Sequence, residues 1–323
     1  MALVNNEQSD KNSCNKKQEC IFGPVPSRRL GRSLGVDLVP FKTCTYDCIY
    51  CQLGRTTNKT IQRKEWLPLD EIISQLKVKL YLQPDYITLS GSGEPTLFSK
   101  CGELISKIKE ITNIPVAVLT NGSLLWLPEV RKSLLEADII IPSLDAGSDS
   151  VFQYINRPHP DISFGKMLEG LVKFREEYKG QYWLEVFLLA GVTTPEMEIN
   201  RLITCISSIQ PDKVQVNTVT RPPAESFAEP VQKEQLEKLA AQLFKHSEVI
   251  VDYKDVHKKQ EFVSQCEDVL TLLKRRPCSI EDIAIGLGLH RNEVVKYIEE
   301  LSTEDRIEAK LGQAQCYYKA VIQ

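Results

Sequence analysis

The residues best suited to chemistry lie between Lys42 and Gly54, where Cys44, Cys48 and Cys51 stand four and three positions apart. Thiolates are soft ligands that suit zinc or iron–sulfur clusters. A structural zinc ion normally takes four protein ligands, and no histidine lies near this loop. Three thiolates around a cube of four irons would leave one iron open to a small chelating ligand. The plainer readings are three packed cysteines or half a zinc site, in a chain that carries ten cysteines.

The elements that must position these residues alternate between strand and helix. Short apolar strands are expected at 36–39, 86–90, 116–120, 139–143, 183–190 and 213–218, with a last one at 249–253. Helices are expected at 68–82, 99–111, 127–136, 164–178, 196–209 and 231–246. In the first helix Leu69, Ile72, Ile73, Leu76 and Leu80 form one apolar stripe. Repeated strand–helix units imply an α/β fold with a parallel sheet, and reactive groups then gather at the C-terminal ends of the strands.

The strand ends carry the expected residue types. The second ends in Gly91, Ser92, Gly93 and Glu94, where small residues allow close ligand approach and a carboxylate can take an amino group. The third ends at Asn121, whose side chain can bond a ribose hydroxyl or close a turn, and the fourth at Ser143 and Asp145. The sixth carries Gln215 and Asn217 on one face and runs into Arg221, a cation held before two prolines. Arg157 and His159 lie in a loop, where surface positions are the commoner reading.

The cysteine spacing with Tyr50 before the last Cys, followed one unit later by Gly-Ser-Gly-Glu, resembles the radical S-adenosylmethionine (SAM) enzymes. The resemblance covers about residues 23–254. It implies a partial (β/α)6 TIM-like barrel, and Cys44, Cys48 and Cys51 as ligands of a 4Fe-4S cluster. The open iron would bind SAM, to be split into methionine and a 5′-deoxyadenosyl radical. It also implies SAM contacts from the Tyr50 backbone, Ser92, Gly93, Glu94, Asn121, Ser143, Asp145, Val192 and Asn217, with Ser92 standing where the family has its first Gly. The runs at 23–31 and 217–225 look like a group related to the enzymes that build the wyosine base on tRNA. An electron donor such as flavodoxin or ferredoxin follows from the resemblance. The competing class is an iron–sulfur sensor acting through the C-terminal segment.

Net charge is −3 over 323 residues, so the whole protein is not built to coat a polyanion. Locally, residues 28–64 hold eight basic against two acidic side chains, which suits a phosphorylated molecule or RNA such as tRNA, or an ordinary charged surface. No run of about 18 apolar residues occurs, so no membrane span is expected, and unevenly spaced cysteines suggest a reducing cytoplasm. Residues 1–20 read as a disordered tail whose Cys14 and Cys20 are free thiols or ligands of an auxiliary cluster. The main domain is expected at 21–255 and a small winged-helix-like domain at 261–323. That last domain has eight basic and eleven acidic residues, which argues against DNA binding.

Overall fold

In a computed structural model the described residues are 19–27, 29–250, 266–289, 291–312 and 316–321. The strands are β1 (Ile21–Ser27), β2 (Gly31–Val36), β3 (Thr43–Cys44), β4 (Asn58–Lys59), β5 (Tyr86–Leu89), β6 (Val116–Thr120), β7 (Ile139–Pro142), β8 (Gln181–Leu188), β9 (Lys213–Thr218), β10 (Ser247–Val249), β11 (Ile307–Leu311) and β12 (Cys316–Ala320). The helices are α1 (Leu69–Lys79), α2 (Cys101–Ile111), α3 (Pro128–Leu134), α4 (Asp149–Ile155), α5 (Phe164–Glu177), α6 (Glu196–Ile209), α7 (Lys233–Leu243), α8 (Cys266–Arg275), α9 (Ile280–Leu287) and α10 (Arg291–Thr303).

Eight strands form one sheet in the order β1-β2-β5-β6-β7-β8-β9-β10, parallel throughout except for β1. This is the expected α/β partial barrel, its central strands β5, β6 and β7 buried on both faces and its helices outside. The apolar stripe of α1 is buried at Leu69, Ile72, Ile73 and Leu76, and α2, α5 and α6 bury equivalent faces in the same core.

Two strands differ from expectation. The first parallel strand is Gly31–Val36, not 36–39, because Ser33 to Val36 pair with Tyr86 to Leu89 while Leu38 and Val39 are buried in the crossing that leads to the cysteine loop. Ahead of it β1 pairs antiparallel with β2. Its Pro24 is compatible with an edge strand, where no donor is needed on the outer side. The last strand is Ser247–Val249, earlier than 249–253, and positions 251–253 lie outside the described residues. Helix α4 was not anticipated; its seven residues are too few to show a period, yet Phe152 and Ile155 are fully buried.

Helices α8–α10 and the antiparallel β11–β12 pair form a second unit with a core of its own, built from Val269, Leu272, Ile283, Val294, Ile298 and Leu301. Ser279 and Asp282 form a reciprocal capping box at the start of α9, and Gly288 ends it in the left-handed region. Phe22 and Val25 of β1 belong to this second core. Burial of two such side chains stabilises the docked arrangement by about 1.5–3 kcal/mol each. The C-terminal unit is therefore seated on the edge of the barrel sheet. No helix among the described residues is long and apolar enough to cross a membrane.

Candidate active site

The cysteine loop is fixed by backbone bonds at several points. Lys42 N donates to Ser92 O at 2.7 Å, and Glu94 N donates to Thr43 O at 3.1 Å. Ile49 N donates to Ile155 O at 2.9 Å and Asp47 N to Asn156 O at 3.0 Å, so the C-terminal end of α4 anchors the middle of the loop. The loop thus sits across the C-terminal ends of β2, β5, β6 and β7, where parallel folds place chemistry.

Gly93 is required for this docking. A Cβ there would stand 1.8 Å from the carbonyl oxygen of Thr43. Gly93→Ala is expected to force the turn and the cysteine loop apart, costing about 1–3 kcal/mol or more. A urea midpoint unchanged from the parent chain would contradict that packing.

Each cysteine sulfur of the loop faces a side-chain N–H donor. Lys42 Nζ lies 3.2 Å from Cys51 Sγ, Asn121 Nδ2 3.6 Å from Cys44 Sγ, and Asn156 Nδ2 3.5 Å from Cys48 Sγ. Burial, then the Glu94 charge, pushes the Cys44 thiol up to about 12, and burial pushes Cys48 well above its ordinary value. Metal binding to such thiols expels their protons. Among the described residues no three His, Cys, Asp or Glu side chains gather as ligands for a single ion. Three sulfurs in one loop without a fourth ligand fit a multi-iron cluster better than a zinc ion.

Behind the loop Glu94 is 2 % exposed. Its Oε1 accepts from Thr96 N, Thr96 Oγ1 and Thr120 Oγ1 at 3.0, 2.6 and 2.6 Å, and its Oε2 from Asn121 N at 2.8 Å. Burial raises its pKa against these donors. Ser92 is fully buried and bonds Asp37 through both its amide and its hydroxyl, and Arg275 of α8 bonds the same carboxylate.

A cavity of about 390 Å³ opens from the loop into the barrel. Tyr50, Cys51, Gly93, Ser143, Asp145 and Asn217 line it, so six of the expected site residues come together there. Tyr50 stacks on Phe187 with ring centroids 4.1 Å apart, and its hydroxyl donates to Asp145. Asn217 Nδ2 donates to Glu185 Oε1 at 3.1 Å. Cys44, Cys48, Ser92, Glu94 and Asn121 lie against the loop rather than on the cavity wall, and Val192 packs on the core away from it. Gln215 shares the Asn217 face of β9, where its Nε2 donates to Glu248 Oε1 on β10 at 2.7 Å, and it does not line the cavity.

Asp145 also accepts from Asn156 Nδ2 at 2.9 Å and from Phe187 N at 3.2 Å. Burial pushes its carboxyl up to about 6 from the ordinary 3.8. Its folded pKa lies above its unfolded one, so the folded state holds the extra proton between about pH 4 and 6 and stability falls as pH rises through that window. The full effect is up to about 3 kcal/mol. Urea midpoints of the metal-free chain and of Asp145→Asn should diverge in that window, and parallel pH profiles would contradict the assignment.

The basic residues of 28–64 are mostly occupied one by one. Arg29 pairs with Glu185 at 2.6 Å, Arg55 with Glu225 at 2.8 Å, and Lys59 donates to the carbonyls of Arg157 and Pro158. Arg63 donates to Thr96 O, and Arg28 lies outside the described residues. Arg157 pairs with Glu225 at 2.6 Å, and His159 N donates to Thr45 O at 2.8 Å. Cys20 is buried with its thiol pushed up to about 12 by burial and bonded to Gln75, while Cys14 lies outside the described residues. Asp37, Lys42, Asn156, Phe187 and Arg275 were not read as site residues from sequence. Only the position of Lys42 two residues before the first cysteine offered a signal.

A family model described as the Radical SAM superfamily matches residues 38–203, just over half of the chain. The chain belongs to this superfamily. Its relatives include the UPF0026 protein of Helicobacter pylori, 33% identical over 92% of this chain and 96% of that one. The UPF0026 protein of Methanocaldococcus jannaschii is 38% identical over 68% of this chain and 70% of its own. A Brachyspira hyodysenteriae protein named GTPase Obg is 39% identical over 96% of this chain, which spans only 46% of that longer protein. A radical SAM methyltransferase from Sphaerobacter thermophilus shares the fold with a TM-score of 0.52 at 17% identity, covering 67% of this chain and 65% of that one. The superfamily uses a 4Fe-4S cluster and SAM, and the cysteine loop with its three N–H donors fits such a cluster.

Proposed function

We propose that the protein is a radical SAM enzyme that holds its cluster on Cys44, Cys48 and Cys51 and acts on a substrate in the barrel cavity. The observation that carries this reading is the docking of the Gly91–Glu94 turn onto the cysteine loop at the C-terminal ends of the parallel strands. A 4Fe-4S cluster held on Cys44, Cys48 and Cys51 would supply the one-electron reduction that cleaves SAM into methionine and a 5′-deoxyadenosyl radical for hydrogen abstraction. That electron comes from a donor of the flavodoxin or ferredoxin type.

The chain's own residues bind and orient. Lys42, Asn121 and Asn156 direct N–H groups at the sulfurs of Cys51, Cys44 and Cys48. Glu94 Oε2 keeps acceptor capacity beyond its one bond and takes the amino group of SAM, with the Ser92–Gly93 backbone beside it. The Tyr50 backbone serves the adenine, while Asn121, Ser143, Asp145 and Asn217 supply polar contacts to SAM or substrate. The reading extends to a cytoplasmic protein related to the wyosine-forming enzymes, with a phosphorylated molecule or tRNA as substrate. Its C-terminal unit is a winged-helix-like module that presents substrate rather than reads DNA. Nothing in the fold or the relatives favours the sensor alternative.

Electron paramagnetic resonance of the dithionite-reduced, reconstituted protein tests the open coordination site. Addition of SAM is expected to change the g-values of the reduced cluster. A spectrum unaltered at saturating SAM would overturn the reading.

A further inference from the structure

Of the three sulfurs in the cysteine loop, that of Cys51 borders the cavity. It is also the one that meets a charged donor. Lys42 Nζ stands 3.2 Å from Cys51 Sγ, whereas Cys44 and Cys48 face the neutral amides of Asn121 and Asn156 at 3.6 and 3.5 Å.

Two features make a lysine costly at this position. Lys42 is 3% exposed, and an ammonium taken out of water needs a counter-charge. Among the described residues its Nζ has one hydrogen-bond partner, Cys51 Sγ, and no carboxylate within ion-pair range. Its backbone has φ 58°, in the left-handed region that glycine adopts most readily. Two bonds pin that conformation: Lys42 N donates to Ser92 O at 2.7 Å, and Lys42 O accepts from Asn58 N at 3.1 Å. Packing alone would favour glycine or an apolar side chain here. What the lysine adds is a charge at a sulfur.

A neutral thiol does little to offset an ammonium. A thiolate does, through a charge-assisted hydrogen bond. The donor therefore suits an anionic sulfur at Cys51, the form that a metal-bound cysteine takes. Reduction of an iron–sulfur cluster adds one more negative charge, and a nearby cation stabilises the reduced form more than the oxidised one. Hydrogen bonds to the sulfurs and solvent exposure both control such potentials. Asn121 and Asn156 supply N–H dipoles, and Lys42 supplies a full charge.

We infer that Lys42 sets the reduction potential of the cluster, its ammonium raising that potential through Cys51 so that a weaker reductant suffices to reduce it. The inference rests on the radical SAM reading for the identity of the cluster and adds to it the residue that governs electron entry.

The test is a redox titration of the reconstituted full chain without SAM, with dithionite as reductant and mediator dyes present. Electron paramagnetic resonance counts the reduced cluster, and iron content shows that each variant is loaded. At the potential where the parent cluster is half reduced, Lys42→Met should hold about ten-fold less reduced cluster relative to oxidised, a midpoint roughly 59 mV more negative. Lys42→Gln keeps an N–H and loses the charge, so its midpoint should move in the same direction by most of that amount. Lys173→Met, on α5 and paired with Glu169 at 2.5 Å, should match the parent. A midpoint unchanged or raised in Lys42→Met would overturn the inference. So would a parent-like midpoint in Lys42→Gln, which would assign the effect to the N–H and not to the charge. Loss of the cluster from both Lys42 variants would overturn it in favour of a role in assembly. A Lys42-dependent midpoint in a protein that yields no 5′-deoxyadenosine would sink the enzyme reading and leave this inference standing. Production of 5′-deoxyadenosine with a midpoint indifferent to Lys42 would do the reverse.

Discussion

Cys48→Ala is expected to fold and yet to retain no cluster after anaerobic reconstitution with iron and sulfide. The loop around it is held by backbone bonds from Asp47 and Ile49 to the end of α4, none of which needs the sulfur. Truncation of one half-buried thiol costs about 1–2 kcal/mol, small against the loss of one of three ligands. Iron bound per chain should fall to the background of the unreconstituted protein. Cys101→Ala is the matched control: its buried thiol donates to Pro95 O at 3.2 Å and lies outside the loop, so the cluster should survive. Full iron retention by Cys48→Ala would mean that the three cysteines are not the ligand set.

The second large effect is on stability. Arg275→Met should destabilise the folded chain by about 3–5 kcal/mol, because it removes one partner of a buried ion pair and leaves the other uncompensated. Arg275 and Asp37 have side chains 14% and 4% exposed, and the arginine also bonds the Ser92 hydroxyl and the carbonyl of Glu19. Burial already raises the Asp37 pKa, with Arg275 the main opposing influence. Without Arg275 the folded-state pKa climbs further, so the folded chain takes up a proton as pH falls and the penalty shrinks. Urea unfolding should show a larger difference between variant and parent at pH 8 than at pH 5. An equal loss at both values would show that lost packing, not the stranded carboxylate, dominates.

Much of this arrangement is legible in the sequence, and the gaps have physical causes. Strand β6, strand β9 and helix α6 keep the expected bounds because apolar periodicity and flanking prolines mark them locally. The cysteine loop and the Gly-Ser-Gly-Glu turn are legible because a ligand set and a close backbone approach both demand residue types at fixed spacing. Strand β1 is hidden because its partner, and not its Pro- and Gly-rich sequence, makes it a strand. Asn156 is hidden because it reaches the cysteine loop from more than a hundred positions away, through a helix too short to show a pattern. Arg275 is hidden for the same reason, since 238 positions separate it from Asp37. The polar face expected at Gln215 and Asn217 is present, and what the sequence could not show is its cross-strand partners, Glu248 on β10 for the first and Glu185 on β8 for the second.

The most direct test of the central claim is the quantification of 5′-deoxyadenosine. The protein is reconstituted anaerobically, reduced with dithionite and given SAM, with Cys48→Ala in parallel. Production by the parent chain and none by the variant is the predicted result. A parent chain that forms its cluster and binds SAM yet releases no 5′-deoxyadenosine, even with tRNA present, would contradict the account.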